Sequence, residues 1–146
     1  MAAADLPTPA DFPVAWEVES RWADNDMFGH LNNAVYYALF DSAINGFLAR
    51  ECGAQPLTDD PFAVVAESGC RFVSELSYPS RLAVGLGVER LGTSSVTYRL
   101  GLYAASAPAD APVAAVGRWV HVYVDRAARA STPIPQRVRG VLAGLG

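Results

Sequence analysis

The run RWADNDMFGHLNNAVYYALFDSAINGFLAR, residues 21–50, decides how the rest of the chain is read. Residues 23–33 are crowded with Asp, Asn, Gly and His, types that favour turns or bond their own backbone, so an ordered loop is predicted there. From 34 to 50, Val35, Leu39, Ile44, Phe47 and Leu48 recur at helical spacing, with Ala34, Ala38, Ala43 and Ala49 between them. A helix this apolar on most sides is expected to be buried. Asn32 or Asn33 suits its N-cap, and Gly53 supplies a left-handed exit.

Ahead of the loop, residues 14–22 alternate Val14, Trp16 and Val18 against Ala15, Glu17 and Glu19, the period of a half-buried strand. Residues 1–13, with prolines at 7, 9 and 13, read as a flexible lead-in, which leaves 14–146 as one domain. Beyond the helix, extended segments are expected at 62–77, 81–91, 95–105 and 113–125. Leu82, Val84, Leu86 and Val88 alternate cleanly, as do Val96, Tyr98, Leu100 and Leu102. Residues 91–94 suit a hairpin turn and 105–112 a longer loop, which favours antiparallel order. Val138, Val141, Leu142 and Leu145 point to a short helix within 131–146. One early apolar helix followed by long strands is an α+β pattern, a curved antiparallel sheet wrapped around a helix. Such a sheet keeps an edge free for pairing, so dimerisation is expected.

Composition narrows the function. With 51% hydrophobic and only 18% charged residues the chain can build a core, and 146 residues make one domain. A net charge of -4 argues against nucleic acid, which needs a basic face. All 11 cationic side chains are arginines, which excludes lysine Schiff-base chemistry but leaves planar forks for carboxylates and phosphates. Cys52 and Cys70 stand alone, with neither a disulfide framework nor zinc-ligand spacing. No stretch approaches the roughly 18 consecutive apolar residues of a membrane helix. The first residues lack the basic start and apolar run of a secretory signal, so a cytoplasmic location is expected.

Chemistry concentrates in residues 21–33. A helix start offers unpaired N–H groups and the positive end of the macrodipole, which can polarise a carbonyl, and Asp26 is close enough in sequence to act on it as base or nucleophile. The competing reading makes Asp24, Asn25 and Asp26 Asx turns, Asn32 a cap, and His30 a packed structural residue. A third makes Asp24, Asp26 and His30 ligands of a divalent ion. Glu67, Ser68, Arg71 and Glu75 either line a cleft or form a solvated strand face. His121, between Trp119 and Tyr123, reads as structural. There is no GxSxG elbow, Walker loop, GxGxxG or HExxH.

Residues 21–33, continuing through Tyr36-Tyr37 and Phe40-Asp41, resemble the strand, D-x-D-x-x-G-H-x-N-N loop and central helix of the hotdog-fold acyl-CoA thioesterases. The similarity is to the branch that includes 4-hydroxybenzoyl-CoA thioesterase. The resemblance implies the hotdog fold and hydrolysis of an acyl thioester without a metal or redox cofactor. It places the catalytic carboxylate on Asp26 and the carbonyl-binding backbone N–H on Asn33. His30 and Asn32 would order the loop or orient water, and Gly29, Asn32, Tyr36, Glu67 and Arg71 would lie along the substrate. The implied partners are an acyl-CoA, or an acyl group on a carrier protein, and a second copy of the chain, as a homodimer or a dimer of dimers. Arg71, Arg90, Arg118 and Arg126 are candidates for coenzyme A phosphates. His30, Asn32 and Asn33 stand where that branch commonly has apolar or aromatic residues, so aryl specificity is not implied. Phe28 stands where plant acyl-carrier-protein enzymes carry a catalytic asparagine. Two alternatives share the fold: a hydratase, whose D-x-N-P-x-H motif has a proline and a longer spacing than Asp26 to His30, and a non-catalytic acyl-CoA binder.

Overall fold

The computed structural model describes residues 5–146. Five strands form one antiparallel sheet: β1 (Val14–Glu19), β2 (Phe62–Phe72), β3 (Arg81–Leu91), β4 (Ser95–Ala104) and β5 (Ala115–Val124). Their spatial order is β1-β3-β4-β5-β2, so β2 crosses the sheet and becomes the edge opposite β1. The helix α1 (Asn33–Cys52) lies on the inner face between these edges, and a short α2 (Gln136–Leu142) closes one end. This is the α+β hotdog arrangement.

Alternation builds the core as expected. Leu82, Val84, Leu86 and Val88 of β3, Val96, Tyr98, Leu100 and Leu102 of β4, and Trp119, His121 and Tyr123 of β5 are buried on the inner face. They pack on Tyr36, Phe40, Ala43, Ile44, Phe47, Leu48 and Cys52. Those helix positions follow the three-and-four spacing of a single stripe. The expectation of a helix buried on most sides is therefore corrected: Ala34, Ala38, Ser42, Asn45 and Ala49 face away from the sheet and are exposed. Small alanines gave the sequence an apolar look where no core exists. Asn32 caps the helix, and Gly53 (φ 63°) ends it in the left-handed conformation.

The proline-rich start is not a loose lead-in where it is described, and residues 1–4 lie outside the described residues. Pro9–Asp11 form a 3-10 turn, and Phe12 lies on the outer face over Gly85 and Gly101. A Cβ on either glycine would come within 2.5–2.7 Å of that ring, so the close approach of Phe12 requires glycine at both positions. β1 stops at Glu19 rather than at residue 22, because Arg21 turns the chain into a 3-10 turn at Trp22–Asp24. β2 ends at Phe72 rather than 77: Val73 and Ser74 both donate to the Ala114 carbonyl as the chain leaves the sheet.

Candidate active site

The polar loop before α1 is tied down on both sides. Asp24 is 2% exposed, and its carboxylate takes the Arg21 backbone N–H at 2.7 Å and two guanidinium bonds at 3.0 and 2.8 Å. Those bonds from Arg21 hold the Asp24 carboxyl below its usual range. Asn25 exchanges bonds with the Tyr78 backbone, and Leu31 donates to Leu76 at 2.8 Å. The Ser77 hydroxyl donates to Gly29, whose φ of 85° lets the chain reverse at that point. Asp24 is thus structural, as the competing reading expects, but through bonds back to Arg21 and not through an Asx turn; the Asx turn in this loop is made by Asp26, which accepts the N–H of Phe28 two residues on.

Asp26 differs from its neighbour. It is half-buried, and its Oδ1 accepts the Phe28 N–H at 2.9 Å while Oδ2 accepts from Asn32 Nδ2 at 3.3 Å. Each oxygen keeps lone-pair capacity beyond these bonds. The Asn32 Oδ1 takes the Ala34 N–H at 3.0 Å, and the Asn32 main-chain carbonyl takes that of Val35 at 2.9 Å. The Asn33 N–H has no protein partner among the described residues. One free N–H at the positive end of a 20-residue helix is therefore linked to a held carboxylate through Asn32, whose amide bonds both Asp26 and the helix start.

A cleft of about 180 Å³ opens at this helix start, lined by His30, Leu31, Asn33, Tyr36 and residues 72–75. Tyr36 meets Phe72 edge to face at 4.9 Å. His30 Nε2 lies 3.7 Å from Glu75, and its ring stacks near Phe28. On the other side of the loop, Asp26 lines a shallow hollow with Trp22, Asn25, Tyr78 and Pro79. Asp26, Gly29, His30, Asn32, Asn33 and Tyr36 are thus gathered around one helix start.

Glu67 and Arg71 are not brought there. Ala66 is an extra residue between the pairs Val65–His121 and Glu67–Val120, a bulge that reverses which side of β2 faces α1. Glu67 and Arg71 consequently lie on the outer face, where Glu67 pairs with Arg118 at 2.7 Å. Ser68, Cys70 and Phe72 take the inner side instead. Of the arginines considered for phosphate, Arg118 also reaches Glu89, and Arg126 is spent on Asp59 and Pro56 carbonyls over the Phe62 ring. Arg90 lines an open hollow with Arg139. The sequence reading missed Phe72 and Tyr78 as wall residues. The Tyr78-Pro79 turn was a usable signal, since prolines end strands.

Asp24, Asp26 and His30 do not form a metal site: among the described residues no three of His, Cys, Asp and Glu lie close enough to share an ion. None of the described helices is long and apolar enough to cross a membrane.

Comparison with known proteins bears on the family and the fold. The profile of the thioesterase-like superfamily matches residues 20–142. The crystal structure of the PA5185 protein of Pseudomonas aeruginosa strain PAO1 is similar at 36% identity, covering 96% of each chain with a TM-score of 0.90. PA2801 of Pseudomonas aeruginosa, described as a candidate thioesterase, is 27% identical, covering 87% of this chain and 95% of its own with a TM-score of 0.81. A thioesterase of Thermus thermophilus, solved with coenzyme A and zinc, is 26% identical, covering 88% of this chain and 96% of its own with a TM-score of 0.72. No curated protein matches the sequence.

Proposed function

The chain belongs to the thioesterase-like superfamily and is a thioester hydrolase, and from that premise we propose that its substrate is an acyl-CoA and its working carboxylate is Asp26. The observation that carries this reading is the pairing of a half-buried carboxylate with the unclaimed Asn33 N–H at the start of α1. The thioester carbonyl oxygen accepts that N–H, and the helix dipole favours the negative charge that grows there as the carbon becomes tetrahedral. Asp26 acts in one of two ways. As base it takes a proton from water, and the hydroxide adds to the carbonyl carbon. The C–S bond then breaks, and the departing thiolate takes up a proton. As nucleophile it forms an acyl anhydride while the thiolate leaves, and water then cleaves the anhydride. Label found in the Asp26 carboxylate after a single turnover in labelled water establishes the anhydride route, with water attacking the Asp26 carbonyl carbon.

The coenzyme A in the Thermus thermophilus thioesterase complex supports the choice of carrier. His30, Gly29, Asn32 and Tyr36 surround the reacting carbonyl in this reading, while Glu67 and Arg71 lie on the outer face away from it. The active unit is a homodimer. Trp22, Met27 and Phe28 are 83%, 101% and 84% exposed on the Asp26 loop, and Val65 and Phe72 are exposed along the unpaired β2 edge. A second copy covers these apolar groups and closes the cleft. The test is free-thiol release by the purified protein from short, long and aryl acyl-CoA esters and from acyl carrier protein. Release from an acyl-CoA is expected. Saturable binding of every ester without release, or hydration of an enoyl ester with the thioester intact, overturns the proposal.

A further inference from the structure

Asn32 stands between the two groups just assigned, and its amide is used at both ends. Its Oδ1 caps α1 through the Ala34 N–H at 3.0 Å, and its Nδ2 donates to Asp26 Oδ2 at 3.3 Å. The cap fixes which way the amide points: with the oxygen committed to a backbone donor, the NH2 must face the carboxylate. The same cap, with the Asn32 main-chain carbonyl, occupies the Ala34 and Val35 N–H groups and leaves that of Asn33 free. We infer that Asn32 is a positioning residue that locks the Asp26 carboxylate to the first turn of α1, fixing the distance between the group that attacks and the N–H that receives the oxyanion. This rests on the roles given to Asp26 and Asn33 above.

Serine and aspartate are both good N-caps, so they keep the helix start while changing what faces Asp26. The other ionisable groups around the loop are Asp24, neutralised by Arg21, His30 with Glu75, and Tyr78 in the adjoining hollow. In Asn32→Ser the hydroxyl oxygen takes over the cap and the longer Nδ2 arm that reaches Asp26 is lost: kcat is expected to fall about tenfold or more with KM and melting temperature little changed, the scale of one hydrogen bond to a charged group. In Asn32→Asp a second carboxylate replaces that donor, and the acid limb of the rate profile moves up by about one pH unit or more. Carbon NMR titration of Asp26 in wild type and Asn32→Asp gives the same answer without substrate, as an upward displacement in the variant. Wild-type kcat in Asn32→Ser together with an unmoved titration in Asn32→Asp overturns the inference. Full activity in Asp26→Asn instead overturns the underlying assignment, so the two failures are distinguishable.

Discussion

In the proposed mechanism Asn33 acts through its backbone N–H, so a side-chain deletion there leaves the proposed donor in place. Proline removes it. Asn33 is the first residue of α1, where proline is well tolerated, and Asn32 already has the extended backbone (φ -62°, ψ 143°) that a following proline demands. Asn33→Pro is therefore expected to fold normally by circular dichroism while kcat falls by about 10² to 10³, the usual cost of one oxyanion donor. A second residue, His121, is 2% exposed beneath α1, and its Nδ1 has no partner among the described residues. Burial pushes its imidazole down to about 4, with Asp41 pulling weakly the other way. The fold thus holds the neutral ring. Stability is complete above the ordinary value of 6.5 and declines as pH falls from there towards 4. Between pH 7 and pH 5 urea titrations should lose about 2 kcal/mol from this group, and His121→Phe should lose less. The placement of Asp26 and Asn33 at the start of α1 was legible in the sequence because loop and cap are local. Glu67 and Arg71 were not, since the bulge at Ala66 reverses the face of every later β2 residue and nothing nearby in sequence marks it.

At the scale of elements, α1 and β3 to β5 followed directly from periodicity, and β3 has the limits 81–91 expected of it. The exposed face of α1 was misread because alanine suits both a core and a solvated helix surface. The segment ahead of β1 was misread because prolines hid an anchor: Phe12 seals the outer face with Ala83, Tyr103 and Val113. Its seat has a specific dependence on glycine. Gly85→Ala puts a methyl 2.5 Å from the Phe12 ring, which must be displaced. Thermal unfolding should then show a loss of about 1–3 kcal/mol, the range for overpacking, with faster proteolysis near Phe12. A stability equal to wild type would mean that Phe12 is not held there.

At the scale of the whole molecule, strand order was the least legible feature. β2 follows the helix in sequence yet pairs with β5, not β3, and adjacent strands in the chain gave no sign of this crossover. Its consequence is that an 11-residue edge strand lies next to the cleft at the start of α1, with Phe72 belonging to both. Long exposed edges invite a partner strand. Sedimentation should accordingly show a dimer for wild type and a monomer with strongly reduced thiol release for Val65→Lys/Phe72→Lys, whose charges face the proposed contact. A fully active monomer would refute a site shared between copies. The most direct measurement of the whole account is thiol release from the best acyl-CoA ester by wild type and Asp26→Asn at matched folding. The prediction is a loss of kcat of about 10² to 10⁴ in the variant, the range for a positioned base. Equal turnover by the two proteins would contradict it.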